Sequence, residues 1–238
     1  MDRRDGASEH LDGPLDHQPT LVGNLRDLRL LNRISGGVAL SRWGVHRLLD
    51  GNPTATVIDV GTGGADIPVA LLADAVWHGR TLDVTAVDSR SEVLAAARLA
   101  RPKLDRVQRL RLALADAERL PYQNETFDIG HVSLVVHHFD EEAAVRVLAE
   151  LGRVSRRGVI VNDLHRGSLG LFGAWLAGRF LTRNHYTRHD SVQSVRRGYT
   201  IAEMERLLRR AGLEPVDRRT AAFGQRDAIV AEPHASAP

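Results

Sequence analysis

The chain has no cysteine among its 238 residues, which excludes disulfides, thiolate nucleophiles and cysteine-ligated metals. Lysine is almost missing too. Lys103 is the only one, so nearly all of the 32 basic residues are arginines. Acids are interspersed among them and the formal net charge is only +2, too little to argue for a nucleic-acid partner. No apolar run reaches the about 20 residues that a membrane span requires, and no apolar h-region follows the N-terminus. Stable membrane insertion and secretion are therefore not expected, and the expected compartment is the cytoplasm. The length suits one α/β domain with a substantial core and some accessory helix.

The chain is organised around Thr56-Val57-Ile58-Asp59-Val60-Gly61-Thr62-Gly63-Gly64-Ala65-Asp66-Ile67-Pro68. A buried apolar run ends in a carboxylate, passes through a glycine turn and opens a helix. Glycines allow backbone N–H groups to approach a ligand closely, and the helix N-terminus behind them favours negative charge. A second apolar strand, Thr81–Val87, ends at Asp88. An acid one βαβ step beyond a glycine turn is placed to hold both hydroxyls of a ribose. A nicotinamide-binding Rossmann domain offers the same acid. However, its glycine fingerprint counted from Gly61 needs a small residue at position 66, where Asp66 stands and would repel a pyrophosphate. A ligand with an amino group and no phosphate fits better.

These residues resemble the class I S-adenosylmethionine (SAM) dependent methyltransferases. Asp59-Val60-Gly61-Thr62-Gly63 matches the first motif, and Ala86-Val87-Asp88 the second. Leu114–Pro121 matches the third, and Phe127-Asp128-Ile129 followed by Ser133–Phe139 matches the fourth strand and its loop. The resemblance spans about residues 54–231 and departs from the pattern at Ala65, where a third glycine is usual. It implies an α/β fold: a Rossmann-like, doubly wound seven-stranded sheet with a C-terminal antiparallel hairpin. It implies SAM as cofactor, held by Asp59, Gly61, Thr62, Gly63, Asp66, Asp88, Ser89, Asp116, Ala117, Ser133 and Leu134. Asp59 and the Gly61–Gly63 backbone would hold the methionine end, Asp88 the ribose, and Asp116 with Ala117 the adenine. Methyl transfer needs no metal, and none is expected.

Around this core, residues 1–20 read as a polar, disordered tail. Two helices follow over 21–50, interrupted at Gly36-Gly37, and the cofactor core runs over 54–165. Ser89 with Glu92 and Thr200 with Glu203 have the spacing of capping boxes, and Asp140 reads as the cap of a helix through Val154. A helix ending at Gly212 and two strands, Pro215–Phe223 and Asp227–Ala231, complete one domain over 21–231, with a tail over 232–238.

Gly158–Val161 reads as a fifth strand delivering Asn162-Asp163-Leu164-His165-Arg166 to the carboxyl edge of the sheet, where ligands sit in such folds. His165 is the first candidate for a general base, since a neutral imidazole is available at cellular pH. His138 is the second, although it has an alternative reading as cofactor packing. The insert over 166–198 holds Leu169, Phe172, Trp175 and Phe180, too apolar all round for a surface helix. It reads as a lid over an apolar acceptor, with a homodimer interface and a membrane-surface contact as competing readings. Asn162, Asp163, Arg166, Phe172, Trp175, Tyr186 and His189 form the expected acceptor-binding set.

The expected reaction is O-methylation of a phenolic or polyketide-like small molecule. The runner-up is C-methylation of a quinone precursor ring. A SAM-binding interaction protein without turnover is the third reading.

Overall fold

Thr54–Val60 (β1) is paired on both sides with parallel strands, so it lies in the middle of the sheet and is buried along most of its length. The computed structural model describes residues 18–166, 193–222 and 224–234. Before β1 come helices α1 (Gln18–Ile34) and α2 (Gly37–Leu49). After it the chain alternates through α3 (Asp66–Trp77), β2 (Thr81–Asp88), α4 (Ser91–Ala100), β3 (Leu110–Leu114), β4 (Phe127–Ser133), α5 (Glu141–Arg153) and β5 (Ser155–Leu164). A short helix over 193–197 precedes α6 (Ile201–Arg210), β6 (Leu213–Thr220) and β7 (Arg226–Pro233).

The sheet order is β3-β2-β1-β4-β5-β7-β6. The progression reverses between β1 and β4, opening the crevice where such sheets bind ligands. The antiparallel β7 lies between β5 and β6, as the expected hairpin requires.

Alternating strand residues build two cores. On one face Val57, Val84, Ile129, Ile160 and Val230 pack under α2 and α3. On the other, Ile58, Val132, Val159, Val161 and Ile229 meet Leu148 and Leu151 of α5 and Leu207 and Leu208 of α6. Close approach sets some residue choices: a Cβ on Gly44 would sit 2.8 Å from the Ile160 side chain, so α2 can lie flat on the sheet there.

Several expected boundaries move. Helix α1 begins at Gln18 and buries Leu21 and Leu25, so order starts inside the expected tail. Strand β5 continues through Leu164 because β7 pairs with it that far, and β7 itself runs to Pro233. The Ser89–Glu92 capping box does not form. Arg90 is the N-cap without a side-chain cap bond, and the Ser91 hydroxyl reaches the Glu92 carboxylate instead. The Thr200–Glu203 box and the Asp140 cap are both present. Among the described residues, no helix is long and apolar enough to cross a membrane.

Candidate active site

The turn after β1 is built by left-handed backbone. Gly61 (φ 68°), Gly63 (φ 52°) and Ala65 (φ 51°) all adopt it, so alanine occupies the third position at a cost of about 1 kcal/mol. At Gly61 a side chain is excluded outright, since a Cβ would lie 2.3 Å from Val135. The Thr62 N–H donates to Val87 O at 2.9 Å. Asp88 accepts from the N–H groups of Gly63 (3.0 Å) and Arg90 (3.1 Å), which ties the turn to the end of β2. Burial raises the Asp88 carboxyl above its ordinary range despite those bonds. The Thr62 hydroxyl is buried and has no hydrogen-bond partner among the described residues. Its place in the glycine turn makes this hydroxyl a candidate ligand contact.

Below the turn, under α2, the sheet face turns polar. Asp59 and His131 stand opposite each other in the β1–β4 register, with Asp59 Oδ1 accepting from His131 Nδ1 at 2.5 Å. His131 Nε2 is 2.8 Å from Ser41 Oγ. Asn162 donates to Gly37 O and Ser41 Oγ and accepts from Arg226 Nε at 2.6 Å. Arg226 also donates to Asn32 Oδ1 (2.7 Å) and Ser133 Oγ (2.6 Å), and Asn32 donates to Asp66 at 3.1 Å. Burial lowers the Arg226 pKa to about 10, while Asp163 and Asp66 pull the other way. Asp66 is itself raised, mainly by burial, against the bond from Asn32.

The opposite face carries two histidine–carboxylate pairs side by side. Asp163 of β5 and Asp227 of β7 are register partners. Asp163 accepts from His137 Nδ1 at 2.6 Å and from the His137 N–H at 3.2 Å. Burial alone would raise Asp163, but the His137 charge and hydrogen bond outweigh it and hold the carboxyl low. Asp227 holds His165 Nδ1 and is itself held by the Thr220 hydroxyl. His165 and Asp227 line a pocket together with Tyr199 and the apolar side chains of Val161, Met204 and Ile229.

Among the expected acceptor-binding residues, three are committed elsewhere. Asn162 is fully buried in the polar group under α2 rather than facing a pocket. Asp163 holds His137, and Arg166 forms a two-bond pair with Glu203 and reaches Gly198 O. Phe172, Trp175, Tyr186 and His189, with the insert that carries them, lie outside the described residues. Of the expected cofactor residues, Asp116 caps a turn by accepting from the Glu118 N–H, and Ser133 meets Arg226. Ser89 is exposed, while Leu134 takes a left-handed φ of 56° beside Asn162 O. Ala117 packs on the core. His138 stacks on His137, with ring centroids 4.3 Å apart, and it is His137 that the buried acid holds.

Arg226, Asn32, His131 and His137 are not among the expected site residues. The available signals were an arginine at the head of the buried strand Arg226–Pro233 and a histidine inside the buried strand Phe127–Ser133. Away from these groups, His46, Asp74 and His78 have metal-ligand spacing, but Arg42 lies 3.4 Å from Asp74, where its charge opposes a cation.

Residues 57–158 match a family model described as a methyltransferase domain. The ubiquinone/menaquinone biosynthesis C-methyltransferase UbiE of Rickettsia bellii is 27% identical over 126 residues, 48% of this chain and 51% of that protein. The chain thus spans about half the length of the curated relatives it matches. A putative O-methyltransferase from Nostoc punctiforme has a similar fold, with a TM-score of 0.64 at 20% identity, over 95% of this chain and 63% of the other. An O-methyltransferase from neocarzinostatin biosynthesis, in complex with S-adenosyl-L-homocysteine and 1,4-dihydroxy-2-naphthoic acid, gives 0.55 at 18% identity over 75% and 49%. Residues 57–158 thus carry the pattern of a methyltransferase domain, and the seven-stranded order, the inserted β7 and the glycine turn are similar to those of the class I SAM-dependent methyltransferase fold.

Proposed function

We propose that the protein transfers a methyl group from SAM to the hydroxyl of a phenolic or polyketide-like small molecule. The observation that carries the reading is His165, held by Asp227 on the wall of a partly apolar pocket at the carboxyl edge of the sheet. The cofactor residues fit their ligand in kind. The open Thr62 hydroxyl and the carboxylates of Asp59, Asp66 and Asp88 suit a nucleoside with a cationic tail, and no basic side chain is needed for a phosphate.

SAM supplies, when bound, an electrophilic methyl on a sulfonium. The protein's part is largely positioning and exclusion of water. Asp227 accepts from Nδ1–H of His165, so the neutral ring carries its lone pair on Nε2. That nitrogen takes the acceptor's hydroxyl proton, and the oxygen is left anionic for attack. Asp227 then stabilises the imidazolium, while Thr220 fixes the carboxylate's orientation. The apolar wall of Met204 and Ile229 favours a reaction in which opposite charges cancel. Phe172 and Trp175 of the insert complete the acceptor site in this reading, and Asp116 with Ala117 holds the adenine.

A second reading, C-methylation of a quinone precursor ring, is supported by the function named for the Rickettsia relatives. Incubation with methyl-labelled SAM and a panel of phenols and hydroquinones separates the two. Label in an aryl ether supports the first reading, and label on ring carbon supports the second. A protein that binds SAM and labels neither class would overturn both.

A further inference from the structure

An unbroken series of buried side chains joins Asp59 to Asp66, and the chemistry of each link fixes its direction. Arginine can only donate. Arg226 Nη1 donates to Asn32 Oδ1, so the Asn32 amide nitrogen is turned to Asp66 and donates there. Arg226 Nε donates to Asn162 Oδ1, so the Asn162 nitrogen donates to Ser41 Oγ. Ser41 then has its proton for His131 Nε2, and that ring keeps its own proton on Nδ1 for Asp59. Every donor points away from Arg226, and both arms end on a carboxylate.

Those two carboxylates bracket the glycine turn, one closing β1 and the other opening α3. His131 relays between Ser41 and Asp59, so one guanidinium stands at the head of both arms. Asp163 also lies in the field of Arg226, but its oxygens serve His137 and the Leu164 N–H. Among the described residues, the hydrogen-bond partners of Arg226 are Asn162, Asn32 and Ser133, none of them a carboxylate. A buried guanidinium is costly unless its charge is answered nearby; here Asp163 and Asp66 lie in its field, and two polarised amide arms carry its donors outward. Space is reserved for it, because a Cβ on Gly37 would lie 2.4 Å from the guanidinium carbon.

We propose that Arg226 is a positioning residue that, without touching the cofactor, orients Asp59 and Asp66 through these two arms to receive the cofactor's ammonium group. This rests on the SAM reading above. A merely structural plug beneath α2 would instead affect every ligand of the turn alike.

The test uses the full chain, with Asn32→Leu to cut one arm, Ser41→Ala to cut the other, and calorimetric titration of two nucleosides. S-adenosylhomocysteine carries the ammonium, and 5′-methylthioadenosine lacks the amino-acid end. Each variant is expected to weaken the first by about tenfold, the scale of one charge-assisted hydrogen bond, and to leave the second within about twofold. An analogue that keeps the amine but lacks the carboxylate should follow S-adenosylhomocysteine. Equal weakening of both nucleosides, no change in either, or an analogue that follows methylthioadenosine would overturn the proposal. If the wild type binds neither nucleoside, the SAM reading itself fails, and that outcome is distinct from a failure of the arms. These variants leave Arg226 in place, so the outcome does not depend on whether its replacement folds.

Discussion

At Gly61 two demands meet on one atom. The backbone is left-handed and Val135 occupies the place a side chain would take. Gly61→Ala is expected to lower stability by about 2–4 kcal/mol, the sum of the left-handed penalty and forced overpacking. Urea denaturation measures it, and a loss below 1 kcal/mol would mean the turn relaxes freely. His165 and Asp227 make a functional prediction at the same scale. His165→Ala should reduce kcat by about 10²–10⁴-fold, the range of general-base contributions, while S-adenosylhomocysteine binding stays within about twofold. Asp227→Asn should reproduce much of that loss, because Asn can present a donor where the carboxylate accepted from Nδ1. If His137→Ala is the variant that loses turnover and His165→Ala is not, the base belongs to the neighbouring pair. Chain order predicts that polar groups at the end of β5 face a site, and His165 lines a pocket together with Asp227. Chain order could not tell His137 from His138. The two rings lie against each other in the 3₁₀ turn Val136–His138, and only the position of Asp163 selects between them.

At the scale of elements, helix ends were legible where a side chain caps its own backbone. Asp140 accepts from the Ala143 N–H at 2.8 Å at the start of α5. Asp140→Ala should cost about 1 kcal/mol, whereas Asp140→Asn, which keeps the acceptor, should change stability by a few tenths. Equal losses in the two variants would assign the effect to charge near the helix N-terminus instead. The Ser89–Glu92 spacing misled because the helix begins one residue later than it implies: Arg90, not Ser89, is the N-cap, which leaves Glu92 at the second helical position and not the third. Strand lengths were underestimated too. The polar residues Asn162 and Asp163 look like the end of a strand, yet β7 pairs with both and carries β5 on to Leu164. Alternation read from one strand cannot reveal a partner brought in from 60 residues away. The fold class was readable because the apolar runs, the glycine turn and the acid at the end of β2 each depend on local sequence. The polar group under α2 was not, because it is assembled from α1, α2, β1, β4, β5 and β7.

The whole molecule balances stability against binding at its carboxylates. Asp66 and Asp88 are both raised, chiefly by burial. As pH falls through their folded values, the folded state takes up protons before the unfolded one does. Their contribution to stability therefore grows toward acid and is lost as pH rises. Asp163 is depressed, so its contribution is present above its unfolded value and is lost as pH falls through the folded one. Binding of an ammonium needs Asp66 ionised and should follow the opposite course to its stability contribution. The thermal shift produced by saturating S-adenosylhomocysteine should shrink as pH falls through the raised Asp66 value, and should begin to do so above the ordinary carboxylate range. A shift that stays constant down to that ordinary range would contradict an anionic site for the amino-acid end. The most direct measurement is calorimetric titration of wild type and Asp88→Ala with S-adenosylhomocysteine. The account predicts micromolar binding by the wild type and its loss in the variant. No binding by the wild type, together with binding of a nicotinamide dinucleotide, would contradict it.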